Sequence, residues 1–286
     1  MNKRLAFYAT PFPRICSYYD MIDLAADYGA KVIEGFNRWE LKTADPEAAK
    51  KLRAYAEKKG IRFVCLSCYC EMLPDNAPEQ IQKMKAYANI AGILGAPWLH
   101  HTLVSGYSDP NYVLKNADLL LAAAANTARQ IYDYCQELAI RPIYENHGYL
   151  INGIKGFSRF LEKTDRDVGI LLDTGNSYSV DESPELFVKA FSGRIAHVHL
   201  KDVCYSTIPA SSEWRCTRNH HYYKNAEPGR GIVDLTAIMS QLESTGYQGY
   251  YALEFGAPHD DSPVLDEAIS RFSTHLQKYE REKTVC

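Results

Sequence analysis

The sequence predicts an α/β protein with one domain over residues 1–286, a (β/α)8 TIM barrel. Three observations lead there. Short apolar runs alternate with helix-period segments along the whole chain. The runs are apolar on both faces, which is the mark of a parallel sheet covered by helices. There are also eight of them, where a doubly wound sheet would usually have about six.

The runs fall at 4–10, 31–36, 61–68, 98–103, 140–146, 168–173, 194–200 and 249–255. Between them lie amphipathic stretches with a period near 3.6: 18–28, 46–59, 78–94, 117–137, 153–162, 183–190 and 235–244. Gly29, Gly60, Gly95 and Gly246 follow the last turns of four of these stretches. Glycine there accepts the left-handed conformation that stops a helix, and the next strand begins at once. No Gly-x-Gly-x-x-Gly follows any strand, which argues against a dinucleotide-binding sheet.

The chain has 286 residues, 46% hydrophobic and 23% charged. A barrel of this type takes about 250 residues, so roughly 36 are surplus. The net charge of −3 lacks the basic excess of a nucleic-acid binder. The apolar run after Lys3 and Arg4 is too short for a signal-peptide core, and Pro11 closes it. No window is apolar enough for a transmembrane helix. The expectation is a cytoplasmic protein that uses neither membrane nor nucleic acid; a homo-oligomer is among the assemblies the sequence allows. Cys65-x-x-Cys68 lies within a strand-like run with no second pair, so it reads as reduced core cysteine rather than a zinc or redox motif.

In such barrels chemistry sits at the C-terminal strand ends. The fifth to eighth runs close on Glu145, Asp173, His199 and Glu254. Carboxylates converging there lose water and repel one another. A divalent cation relieves both costs. Two Glu, one Asp and one His make an oxygen-rich set, which suits one manganese, magnesium or cobalt ion, with zinc also admissible. Alternation places His199 at the mouth and His197 one layer deeper.

Other residues are candidates for substrate contact. His147 shares the face of Glu145. Only one of His100 and His101 can face the axis, and His101 is taken as the candidate with His100 as the alternative. Asn176 follows Asp173 by three. Lys201 is placed to bind a substrate oxygen or to pair with Asp202. Glu34 closes the second run, facing the mouth or a salt bridge. Tyr8 and Trp39 suit either an aromatic wall or ordinary packing. Segment 204–227 is long and polar, which fits an active-site lid. Within it, His220-His221 is a weak candidate for a second metal site.

At these residues the chain resembles the sugar-phosphate isomerase/epimerase superfamily of xylose-isomerase-like barrels. The matching stretches are Glu145-Asn146-His147-Gly148, Leu172-Asp173-Thr174-Gly175-Asn176, His197-Val198-His199-Leu200-Lys201-Asp202, Gly229-Arg230-Gly231-Ile232-Val233-Asp234 and Leu253-Glu254. The resemblance implies metal ligands at Glu145, Asp173, His199 and Glu254, with the two glutamates also exchanging protons with a small carbohydrate substrate. The implied reaction is isomerisation or epimerisation by proton abstraction α to a carbonyl, through a metal-stabilised enediolate. Ketose 3-epimerases of the superfamily carry Glu, His and Arg where this chain has Ile151, Asn176 and Tyr205. Dehydration of a keto-polyol such as inosose or dehydroshikimate is the alternative. A phosphodiesterase like the apurinic endonucleases and a non-catalytic sugar binder are weaker ones.

Overall fold

The computed structural model describes residues 1–8, 15–107, 109–209, 211–254 and 262–285. Its barrel strands are β1 (Leu5–Tyr8), β2 (Val32–Phe36), β3 (Arg62–Cys68), β4 (Trp98–His101), β5 (Arg141–Glu145), β6 (Gly169–Asp173) and β7 (Ile195–Leu200). After a three-stranded insertion of β8 (Asp202–Ser206), β9 (Arg215–Cys216) and β10 (Tyr222–Ala226), β11 (Tyr251–Leu253) closes the barrel between β7 and β1. All eight barrel pairings are parallel. The predicted strand ends at 9–10 and at Phe255 lie outside the described residues, as does residue 210 of the expected lid.

The helices are α1 (Tyr18–Asp27), α2 (Pro46–Lys58), α3 (Ala77–Leu94), α4 (Pro110–Lys115), α5 (Ala117–Gln136), α6 (Gly153–Thr164), α7 (Pro184–Phe191), α8 (Leu235–Ser244) and α9 (Ser262–Val285). Seven match the predicted segments within about two residues of their ends, the ordinary scatter of helix boundaries. Their starts follow the usual capping rules. Ser17, Asp45 and Asp234 each accept a backbone N–H of the first turn. Gly95 ends α3 at φ +74°, as expected of the left-handed stop.

Helix α9 follows the last predicted segment, with Leu265, Ala268, Phe272 and Leu276 buried at helical spacing. The surplus chain folds as an ordered antiparallel sheet, with Tyr222 opposite Ser206 and Ala226 opposite Asp202. No helix among the described residues is long and apolar enough to cross a membrane.

Two register shifts position the mouth. Between β6 and β7 the pairing steps from Ile170–Ile195 to Leu171–His197, leaving Ala196 as an extra residue. A bulge of this kind changes the phase of side-chain alternation. Ala196 and His197 therefore both turn inward, and His199 follows on the same face. A second shift lies between β2 and β3 at Ile33 and Glu34. Ala6, Val32, Val64 and Ala252 form one small inner cluster, and Cys65, Ile143, Leu171 and Ala196 another. The larger core lies between strands and helices.

Candidate metal centre and active site

The C-terminal ends of β5, β6, β7 and β11 bring Glu145, Asp173, His199 and Glu254 together. One ligand atom from each lies within 4.8 Å of all the others. Asp173 is fixed from both sides. Asn146 accepts its backbone N–H at 2.7 Å and donates to its carbonyl at 3.0 Å. Its carboxylate accepts the N–H groups of Gly175 and Asn176 at 2.8 Å each. Asn176 donates its side-chain amide to Glu145 at 3.0 Å.

Beneath this layer Glu34 is fully buried and accepts from Ser67 Oγ at 2.5 Å. His197 Nε2 lies 2.6 Å from it, and His199 Nε2 lies 3.1 Å from each of its oxygens. The proton of His199 therefore sits on Nε2, and Nδ1 turns its lone pair to the mouth, 2.8 Å from Glu254. Ser67 spends its proton on Glu34, so His100 Nδ1 donates to Ser67 at 2.9 Å. Burial holds His100 neutral, its pKa lowered to about 4.

The carboxylates are held unequally. Burial pushes Asp173 well above the usual range; Lys201 opposes this, while Glu254 and Glu145 add to it. Burial would also raise Glu145, but the nearby His199, His147 and His100 hold it below the usual range. Lys201 Nζ sits between Asp173 and Glu254 at 3.1 and 2.9 Å and keeps Glu254 low against the effect of burial. His199 Nδ1 and Glu254 Oε2 are buried without a hydrogen-bond partner, although they face the same point. Two unsatisfied donor atoms of this kind, within an oxygen-rich set of four, fit a divalent cation. The site is thus a buried metal-binding centre.

Above it opens a cavity of about 300 Å³, lined by residues that include Tyr8, Phe36, Arg38, Tyr69, His100 and His147. Of the sequence candidates for substrate contact, some line this cavity and others do not. His147 lines the cavity, and burial lowers its pKa. Tyr8 stands over the site with its ring 4.9 Å from that of His199. Trp39 packs edge-on against Tyr18 instead.

His101 is a correction. It points outward, with Nδ1 3.0 Å from the Thr102 carbonyl and Nε2 3.1 Å from the Tyr144 hydroxyl, and His100 takes the inward place. Asn176 sits behind Glu145 rather than lining the cavity. Lys201 pairs with the ligand carboxylates, and Asp202 is engaged elsewhere. It binds the N–H groups of Gly229, Gly231 and Val233 at 2.8, 2.8 and 3.0 Å. A Cβ on Gly231 would come within 2.2 Å of that carboxylate, which explains the glycine.

Glu34 bridges two histidines, a role that a strand-end glutamate does not reveal until the partner strands are placed. Arg38, Tyr69, Thr102 and Asn225 also line the cavity and carry no motif. The inserted sheet is fastened beside the mouth. Tyr205 and His221 meet Asp181 at 2.6 and 3.0 Å, and Tyr149 donates to the Cys216 carbonyl at 2.5 Å. His221 is therefore engaged with Asp181 and Tyr205, and the pair His220-His221 forms no metal cluster among the described residues.

A family model described as "xylose isomerase-like TIM barrel" matches residues 22–275. An inosose dehydratase from Geobacillus kaustophilus is 26% identical over 152 residues, covering 50% of this chain and 49% of its own length. The chain thus matches about half the length of such curated relatives. The structure of 3-keto-D-glucoside 4-epimerase from E. coli in its apo form superimposes with a TM-score of 0.74 at 13% identity, covering 96% of this chain and 100% of that one. A xylose isomerase-like barrel protein from Mycobacterium smegmatis in complex with magnesium gives 0.71 at 15% identity, covering 96% and 97%. Those two likenesses are of fold.

Proposed function

The chain belongs to the xylose isomerase-like TIM barrel family, and from that membership and the geometry of its mouth we propose a divalent-metal-dependent isomerase or epimerase of a small keto-polyol. The carrying observation is the convergence of Glu145, Asp173, His199 and Glu254, with two of their donor atoms unsatisfied. A manganese, magnesium or cobalt ion, or zinc, would supply Lewis acidity to the carbonyl and its neighbouring hydroxyl, acidifying the C–H between them.

The chain's own residues do the rest. Glu145 is kept ionised by its histidine neighbours and serves as a base toward that C–H. Glu254, on another strand, delivers a proton taken up from solvent, and Glu145 gives its own to solvent, so that both carboxylates are restored. Return at the neighbouring carbon gives the isomer, and return to the opposite face of the same carbon gives the epimer. Lys201 beside Glu254 stabilises the oxyanion that develops as the proton leaves. His147 and His100 offer imidazole nitrogens to substrate hydroxyls, and Asn176 orients Glu145. The inserted sheet acts as a roof over the mouth and contributes Asn225 to the cavity wall.

A second reading is dehydration, favoured by the inosose dehydratase relatives. Here the enolate left by proton removal expels a β-hydroxyl, which leaves as water with a proton from the site. Incubation of metal-loaded protein in D₂O with keto-sugars, inososes and dehydroshikimate tests both. One solvent deuteron incorporated at the carbon next to a carbonyl, with mass otherwise conserved, supports isomerisation or epimerisation. Loss of water with a new ultraviolet-absorbing product supports dehydration. Absence of exchange and of product with every ketone defeats both readings.

A further inference from the structure

Arg38 is a cavity-lining cation that meets no carboxylate among the described residues. Lys201, the other lysine or arginine on the wall among the described residues, is taken by Asp173 and Glu254. The guanidinium carbon of Arg38 lies 4.8 Å from the Phe36 ring centroid and 5.5 Å from that of Trp39. Contact with aromatic faces holds a guanidinium in place without using its N–H groups. Its fork of donors engages no other described side chain or carbonyl.

The backbone beside it is strained. Trp39 has φ +47°, in the left-handed region that a bulky aromatic residue seldom enters. Such strain persists only where packing over-determines it, and it gathers at ligand clamps. Here the Trp39 ring is pinned 5.2 Å from that of Tyr18, which fixes the platform on which Arg38 stacks.

The carboxylates of the site have partners other than Arg38. Glu34 is satisfied by His197, His199 and Ser67. The remaining carboxylates, Glu145, Asp173 and Glu254, are offset by a divalent ion together with the Lys201 ammonium. Arg38 stands apart from all of these pairings, and its N–H donors are claimed by no described residue.

We propose that Arg38 reads a carboxylate on the substrate, so that the keto-polyol accepted here is a keto-acid carrying one negative charge away from its reacting carbonyl. This rests on the proton-abstraction reading above and adds the substrate class. A planar guanidinium matches a carboxylate with two parallel hydrogen bonds. A phosphate dianion would call for a second free cation or a nest of free N–H groups. The glycine-rich turn at 229–233 has given such groups to Asp202.

The test is calorimetric binding to the metal-loaded protein of quinate, an unreactive cyclic polyol carboxylate, and of myo-inositol, its neutral counterpart. Quinate is expected to bind about tenfold or more tightly than myo-inositol. Arg38→Met, which keeps the stem between the two rings, should abolish that preference, and Arg38→Lys should weaken it. Equal affinity for the two probes, or a quinate preference intact in both variants, overturns the proposal. If Arg38→Met does not fold, Arg38→Lys decides alone. Inorganic phosphate binding more tightly than quinate, and losing that affinity in the variants, overturns the carboxylate assignment. These readouts are independent of turnover. Failure of deuteron exchange with every ketone would defeat the proton-abstraction reading while leaving the binding result to stand.

Discussion

Both carboxylate oxygens of Glu34 lie 3.1 Å from Nε2 of His199, so a buried glutamate on β2 sets the tautomer of a histidine on β7. A carboxylate behind a ligating imidazole fixes the ring and raises its basicity. Replacing Glu34 by Gln should lower metal affinity by about 10- to 100-fold with the fold retained. Competition against a chelating dye measures this, and unchanged affinity would mean that Glu34 does not govern the ligand face of His199.

Lys201 neutralises Asp173 and Glu254, with Nζ at 3.1 and 2.9 Å and its side chain 13% exposed. Removing one partner of a buried ion pair leaves its charge uncompensated. Lys201→Met should therefore destabilise the metal-free protein by about 3–5 kcal/mol. Added magnesium or manganese should restore much of that loss, because the ion takes over the same carboxylates. Thermal melts with and without metal report both effects. A metal-free variant that melts like the wild type would contradict this role.

His101 makes acid stability testable away from the metal. Burial lowers its pKa to about 3, against the hydrogen bond it donates to the Thr102 carbonyl. The folded-state value lies below the unfolded one, so the unfolded chain binds the extra proton between them. Stability is therefore lost as pH falls from about 6.5 toward 3, by about 2 kcal/mol from this residue between pH 7 and 5. His101→Gln keeps a polar partner for Tyr144 and cannot titrate. Denaturant unfolding at the two pH values should show a smaller acid loss in the variant, and an identical loss in both proteins would refute the assignment.

Much of the fold was legible because apolar runs and helix periods alternate in one phase almost to the end of the chain. The ligand set was legible because strand-end residues of a parallel barrel share one face. Three things were not. The choice between His100 and His101 depends on the phase of β4, which a four-residue strand does not declare. The inward turn of Ala196 together with His197 comes from the bulge at that step, and a bulge leaves no residue signature. Glu34 acquires its meaning from His199, 165 residues away. Helix α9 was readable from the spacing of Leu265, Ala268, Phe272 and Leu276, but its many charged residues obscure the stripe.

In the proposed reaction Glu145 moves a substrate proton at a metal-dependent site. Deuteron incorporation from D₂O reports that transfer, with the wild type and Glu145→Gln each followed before and after chelation. Expected are exchange in the metal-loaded wild type, loss of exchange on chelation with recovery on metal return, and a fall of about 10³-fold or more in a folded Glu145→Gln. Exchange that persists in Glu145→Gln, or after complete metal removal, would contradict it.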